Sequence, residues 1–333
     1  MEFTMGGRLE VRITPADVGK RVSVRRVVGP VGEGAKFTDT VGVLTSWDDG
    51  VLSVTTKGGE GVRIAESSLV AGKVVPPAPA RRRGPAATFG ELALTTARAW
   101  QPVESEPLGD WRLRAAGGFT RRANSVLPLG DPGLPLGEAL DTVRRWYGER
   151  GLPAYVQTAT GAEGTQERLC ADLEEHGWRR EVTADVRVAS LAPIGDLESD
   201  VSAVRTSREA DATWLSRYQR FDTPGPHVLK VLGSGPSVWF ASVPGDDPAG
   251  VPAAIGRCVV DGRWAGFMAV EVGPEHRRRG LATAVMTALA RTALDEGASA
   301  AWLQVEADNE GARALYDGMG FSTHHSYHHF RCA

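Results

Sequence analysis

Cysteine is scarce in this 333-residue chain, and the three that occur, Cys170, Cys258 and Cys332, are odd in number and far apart. They build neither a disulfide framework nor a CxxC metal site, so a reducing compartment is the expectation. Long apolar runs are also missing. The opening MEFTMGGRLEVRI has no apolar core of signal-peptide length, and Arg291 interrupts the most apolar helical stretch. The chain therefore reads as soluble and cytoplasmic, with no membrane partner. Nor does one sign of charge dominate. The net charge is -3, with 13 basic against 9 acidic residues in positions 1 to 88 and 25 against 32 beyond. That asymmetry is too small to declare a nucleic-acid binder and leaves a weak nucleic-acid or protein contact open for the front segment. What is plentiful is core-forming material: 42% hydrophobic residues suffice for two or three folded units.

Residues 8 to 75 alternate short β-type runs with turns: VSVRRVV, DTVGVLTSW, a DDG turn, VLSVTT, a KGGEG turn, then VRIAESSLV. Strand, tight turn and strand without a useful helix suit a small all-β unit, and residues 1–75 resemble an SH3-like β-barrel, either an interaction module or a docking platform. PPAPARRRGPAAT (76–88) has no helical or strand periodicity and reads as a linker, its three arginines solvating a tether.

The remainder holds a faint repeat of strand, helix, strand, helix, Gly-aromatic pair, strand. In the first copy the elements are ANSVLPLG, a helix over 136–150, PAYVQT, a helix over 166–176, then HGW and EVTADVRVASL. In the second they are WAGFMAVEV, a helix over 281–296, AAWLQVEA, a helix over 310–319, then MGF and a final strand. Two α/β halves side by side are expected, 89–195 and 196–333.

The second RRRG segment, in VEVGPEHRRRGLATAVM, lies between a strand and a helix whose apolar residues Leu281, Val285, Ala288 and Leu289 recur at helical spacing. At such a junction the first backbone N–H groups lack intrahelical partners and the helix dipole is positive, so a phosphate can be held without side chains. Gly280 and the small Ala282 allow close approach. About 25 residues on, Asn309 stands in a capping position with Tyr316 seven residues along the same helix face. RRRGLA and NEGARALYDGMGF resemble the two signature motifs of the GNAT superfamily of acyl-CoA-dependent N-acyltransferases, R/Q-x-x-G-x-G/A and N-x-x-A-x-x-L-Y-x-x-x-G-F, over about residues 200 to 330. The one departure within the pattern is Ala282 for the second glycine.

The resemblance implies a GNAT fold, α/β (α+β) in class, and acetyl-CoA as cosubstrate, with no metal expected. Arg277, Arg278, Arg279, Gly280, Leu281, Ala282 and Thr283 would bind the cofactor, with backbone amides from about Arg278 to Thr283 on its pyrophosphate. Val270 and Val272 would pair with the pantetheine arm, Asn309 and Ala312 would border it, and Tyr316 would protonate the departing thiolate as general acid. Where some members carry a base twelve residues before the tyrosine, this chain has Gln304, so Glu271 or Glu306 is the candidate base. The first half lacks this machinery. Its junction reads GDPGLPLGEA and its tyrosine position is Leu173, making it a degenerate half that completes the fold and walls the acceptor pocket.

Two further features bear on the site. HHSYHHFRC (324–332) invites a metal reading, but on a strand His324 and His328 face opposite to His325 and His329, so a structural or pocket-lining strand is expected. His227 falls where acceptor loops lie in such enzymes. The whole arrangement, with the block DWRLRAAGGFTRRANSVLPLGDPG, resembles an actinobacterial GNAT family described as N-acetylglutamate synthases and as histone-type acetyltransferases. Acetyl transfer to the α-amine of glutamate, in arginine biosynthesis, is the leading expectation, with Arg121, Arg122, Arg205, Arg217 and Arg220 as candidates for binding carboxylates. Protein lysine acetylation is the first alternative, a catalytically silent CoA-sensing or nucleic-acid-binding module the second. Oligomeric state is left open.

Overall fold

The computed structural model describes residues 10–28, 36–76, 84–218, 225–247 and 250–332. Arg81, Arg82 and Arg83 of the linker and Arg220 lie outside the described residues. The chain divides into two compact units, one made of residues 1–80 and 158–178, the other of 81–157 and 179–333.

The first unit is built on five antiparallel strands: β1 (Arg21–Val28), β2 (Lys36–Asp48), β3 (Val51–Thr56), β4 (Gly61–Ala65) and β5 (Leu69–Val74), ordered β4-β3-β2-β1-β5. Alternation places Val22, Val24, Leu44, Leu52, Val54 and Ile64 in one core. VRIAESSLV, expected as one strand, is two: the 3-10 turn Glu66–Ser68 breaks it, Ser68 Oγ donating to Ala65 O at 2.6 Å.

The second unit begins with α1 (Phe89–Arg98), a hairpin of β6 (Glu104–Leu108) and β7 (Trp111–Ala115), and β8 (Leu127–Pro128). None of α1, β6 and β7 stood out in the sequence. ANSVLPLG, read as a strand, contributes a β-bridge from Val126 to Val156 and the two residues of β8, while the 3-10 turn Arg121–Ala123 and the buried Asn124, whose side chain serves four backbone groups, take up its start. The walk continues through α2 (Leu136–Gly148), β9 (Tyr155–Thr160), α3 (Glu167–Glu175), β10 (Arg179–Ser190), α4 (Ala192–Gly195), β11 (Arg205–Ser207), α5 (Ala212–Arg217), α6 (Pro226–Leu232), β12 (Ser237–Val243), β13 (Ala254–Asp261), β14 (Trp264–Val272), α7 (Leu281–Asp295), β15 (Ala300–Glu306), α8 (Glu310–Gly318) and β16 (Ser322–Arg331). Of these, α3 belongs to the first unit, where Thr160 Oγ1 donates to Lys57 O at 2.9 Å.

An eight-stranded sheet ordered β11-β12-β13-β14-β15-β10-β16-β9 runs through the second unit. The halves are not simply side by side. β10, the last strand of the first half, pairs antiparallel with β15 on one side and β16 on the other, so each half closes on a strand of the other. α7 covers one face, setting Val285, Met286, Leu289, Ala290 and Ala293 against Cys258, Phe267, Ala301, Leu303 and Val305. Each large apolar side chain so buried contributes about 1.5–3 kcal/mol. Gly256 permits the close approach: a Cβ there would stand 2.5 Å from Val285 Cγ1.

Among the described residues no helix is long and apolar enough to cross a membrane.

Candidate functional site

β14 and β15 run parallel and paired from Trp264 and Ala300 to Phe267 and Leu303, and there the pairing stops. Just beyond, Ala269 takes a left-handed φ of +52°, and Ala269 and Val270 together oppose Gly256 where the register with β13 shifts. This bulge turns β14 away from β15. Beyond the bulge, Glu271 and Val272 stay in register with Ile255 and Ala254 of β13, while the ladder with β15 ends at Phe267. A cavity of about 490 Å³ opens at the parting.

From β14 the chain passes through the 3-10 turn Pro274–His276 into α7. Arg278 (φ +64°) and Gly280 (φ +77°) are left-handed, and Gly280 is the N-cap of α7. A Cβ at position 280 would meet nothing within 4 Å, so backbone conformation and the open space before it, rather than crowding, favour glycine there. The first amide bonded back along the helix is that of Ala284, to Gly280 O at 2.9 Å. The N–H groups of Arg278 through Thr283 have no carbonyl partner among the described residues. Six successive free amides at a helix N-terminus suit a pyrophosphate. The Arg279 side chain is employed otherwise: its Nη1 lies 3.0 Å from His276 Nδ1, and His276 Nε2 lies 3.4 Å from Glu275 Oε1. Arg217 Nη2 donates to the same Glu275 oxygen at 3.2 Å. A backbone hydrogen bond first, then Arg217 and His276, hold the Glu275 carboxyl below its ordinary value.

On α8, Asn309 Oδ1 accepts from Ala312 N at 3.1 Å, capping the helix and leaving its amide NH2 without a partner among the described residues. Ala312 and Tyr316 follow on the same face. The Tyr316 ring stands edge-on to Phe321 at 5.9 Å. Burial pushes its phenol up to about 12, with Arg187 opposing the shift, so it is protonated at every neutral pH.

Of the residues expected at the site, Val270, Glu271, Glu306, Asn309, Ala312 and Tyr316 line the one cavity, together with Gln304. Arg277 through Thr283 form the separate amide-bearing turn, and Val272 lies beyond the lining. The arginines sort sharply. Arg121 and Arg122 line the cavity; Arg205 is exposed on β11; Arg217 is buried, donating to Pro252 O and Glu275. His227 packs against Gly117 outside the lining. Of the terminal histidines, His329 lines the cavity, His328 Nδ1 contacts Thr183 Oγ1 at 2.9 Å, and His324 Nδ1 lies 2.9 Å from His325 Nδ1. Among the described residues no group of three His, Cys, Asp or Glu side chains is placed to hold a metal ion.

Sequence reasoning did not find Trp100, Phe119, Tyr155, Tyr218 and Tyr327, which form much of the cavity wall. They come from separate segments and share no motif; Phe119 lies in the aromatic- and arginine-rich 110–133 block and Tyr327 in HHSYHHF, while Trp100, Tyr155 and Tyr218 carry no local signal. Gly118, Thr120, Arg121, Arg122 and Pro153 all come from the first half, which therefore does wall the pocket.

Comparison with known proteins agrees with this geometry. Residues 87–330 match the family model described as "Probable histone acetyltransferase Rv0428c C-terminal", and residues 16–73 match "Rv0428c N-terminal Sm-like domain". The chain belongs to this acetyltransferase family, and its small all-β unit is described as Sm-like where the sequence suggested SH3-like. Among curated proteins it is 28% identical over 316 residues to the probable histone acetyltransferase Rv0428c of Mycobacterium tuberculosis, covering 92% of this chain and 93% of that one. It is 27% identical over 244 residues to the uncharacterised N-acetyltransferase YobR of Bacillus subtilis, covering 71% and 94%. Among solved structures, a GCN5-related N-acetyltransferase from Kribbella flavida shares the fold at a TM-score of 0.52 and 18% identity, over 73% of this chain and 94% of that one. A tandem GNAT protein from the clavulanic acid biosynthesis pathway does so at 0.53 and 12%, over 75% and 90%. The chain is a GNAT-type N-acetyltransferase.

Proposed function

We propose, with membership of that acetyltransferase family as the premise, that the chain transfers acetyl from acetyl-CoA directly to the α-amine of a small carboxylate-bearing acceptor, L-glutamate being preferred. One observation carries the reading: the cavity at the parting of β14 and β15 holds the Tyr316 phenol and, in the same lining, Arg121 and Arg122. The amides of Arg278 to Thr283 fit a pyrophosphate, and the end of β14 beyond its ladder with β15 fits the amide-bearing arm that must reach from it to the cavity.

The neutral amine attacks the thioester carbonyl, the C–N bond forms, the C–S bond breaks, and the proton lost by nitrogen is balanced by one gained by sulfur. An N–H of the freed β14 segment polarises the carbonyl. Tyr316 donates to the departing sulfur; the burial that keeps the phenol protonated also raises the basicity of a thiolate formed beside it, which keeps the transfer matched. Glu271 or Glu306 takes the amine proton through water, since Gln304, facing the same cavity, cannot.

A second reading, transfer to a protein lysine, is favoured by the name of the Mycobacterium tuberculosis relative. A panel of amine acceptors assayed by thiol release separates the two. Release with free glutamate at low millimolar concentration is the expected result; transfer to lysine peptides and to no free amino acid would overturn the glutamate reading.

A further inference from the structure

The cavity is electrically polarised. Its carboxylates among the described lining residues, Glu271 and Glu306, sit where β14 and β15 part, beside Tyr316. Arg122, Tyr327 and His329 belong to the same lining, Tyr327 and His329 two strands away from Glu306. Glu306 on β15 stands opposite Ala184 on β10, and Ala184 stands opposite Tyr327 on β16, with His329 two residues further along the same face. Two strand spacings and two residues of rise separate the backbones of Glu306 and His329 by about 12 Å.

Arg122 Nε donates to the Tyr327 hydroxyl at 2.9 Å, and its guanidinium lies over the rings of Trp100 and Tyr327, 5.8 Å from each centroid. It has no carboxylate partner among the described residues. Arg121 differs: it is paired with Glu181 at 3.2 Å and is largely exposed. His329 is 2% exposed, with the Tyr155 and Tyr327 rings edge-on to it at 6.2 and 5.5 Å, and neither ring nitrogen has a hydrogen-bond partner among the described residues. A buried imidazole with two unused nitrogens is costly unless a ligand group completes it. Burial, then Arg122, Arg114 and Arg121, keep the ring neutral, so it offers one N–H donor in a field set by three guanidinium groups.

We infer that Arg122, with the N–H of His329 and the Tyr327 hydroxyl, forms an anion subsite that binds a carboxylate of the acceptor remote from the reacting amine. Glu271 and Glu306 attract the ammonium end, so the acceptor is oriented along the field of the cavity. The substrate class is an amino dicarboxylate, or a similar amine whose anionic group lies several bonds from the nitrogen. This rests on the reading of the cavity as the acceptor site and adds which residues select the acceptor.

The test compares glutamate with its γ-amide, glutamine, as acceptors for the full-length protein. Wild type is expected to favour glutamate by about tenfold or more in kcat/KM, the size of one charge-assisted contact. Arg122→Gln should bring the two acceptors within about twofold, through the KM for glutamate rather than kcat, and Arg122→Lys should restore part of the preference. His329→Phe, which keeps a buried ring but removes both nitrogens, should lower the preference by a smaller factor. An unchanged preference in Arg122→Gln and His329→Phe, with the KM for acetyl-CoA intact, overturns the subsite. Titration of glutarate, which has no amine, into the CoA-saturated protein separates this failure from that of the acceptor reading. If wild type acetylates no amino acid yet binds glutarate, and Arg122→Gln does not, the subsite stands and the glutamate reading falls. If glutarate binds neither protein, or both equally, the subsite falls whatever the acceptor.

Discussion

Two strand-to-helix junctions, one in each α/β half, show how little separates a working turn from a silent one. In the first half Pro135 occupies the N-cap of α2, no side chain caps the helix, and the corresponding Leu173 of α3 is fully buried. In the second half Gly280 at φ +77° turns six amides outward, and Tyr316 of α8 brings a phenol to the cavity. The elements follow in the same order, yet the second junction alone leaves six successive amides without a carbonyl partner among the described residues, the turn proposed here for a pyrophosphate. The difference lies in one left-handed glycine and one hydroxyl, not in architecture.

The sharpest way to break this comparison is at the tyrosine. Tyr316→Phe is expected to lower kcat by about 10²–10⁴-fold with little change in the KM for acetyl-CoA, the range for loss of a general acid. Leu173→Ala should do the opposite, costing about 2–5 kcal/mol of stability while the folded fraction keeps its kcat. Rate assays and denaturant melts of both variants check the pair; a large loss of kcat in folded Leu173→Ala would make the first half more than a scaffold.

A smaller effect is expected at the turn. A β-branched side chain at the φ of Gly280 costs about 1–3 kcal/mol, so Gly280→Val should weaken CoA binding by about ten- to a hundredfold. Arg279→Ala, which removes only the contact to His276, should weaken it a few fold. Calorimetric titration with CoA ranks them, and the reverse ranking would move the phosphate site from the backbone to the side chains.

The mildest effect concerns the strand that knits the halves together. On β16, burial first and neighbouring charges second hold His325 and His328 down at about 3, and His329 well below its ordinary value. Their folded values lie below the unfolded value near 6.5, so the stability they contribute is complete above about pH 6.5 and is lost as the pH falls toward 3. Melting temperature should decline progressively below about pH 6 and be flat from there to 8. His328→Asn, which keeps a polar partner for Thr183, should shallow the acid slope; an unchanged slope would place the titrating groups elsewhere.

Some of this was legible in the residues and some was not, for reasons that differ by region. α7, α8 and the Asn309 cap could be read because a 3.6-residue apolar period and a capping residue are local signals, whereas the short α5 and α6 went unread. α1 went unread although Thr88 and Glu91 carry a cap signature, with Glu91 N donating to Thr88 Oγ1 at 3.1 Å, because it follows directly on a proline-rich linker. β8 was overread because Leu and Val in ANSVLPLG look like a strand, while the neighbouring Asn124 claims the backbone for a turn. HHSYHHF looked polar, and its burial on both faces became apparent only once β16 was seen between β10 and β9.

By itself the sequence determined the reaction class, since a left-handed glycine turn before a helix and a capped helix bearing Tyr316 are encoded within runs of about a dozen residues. The tertiary structure decided where the cavity beside Tyr316 lies and what faces it. Arg122, Tyr327 and His329 are separated by up to 207 positions in the chain. They meet only because β10 inserts between β15 and β16, a long-range pairing that no local pattern specifies.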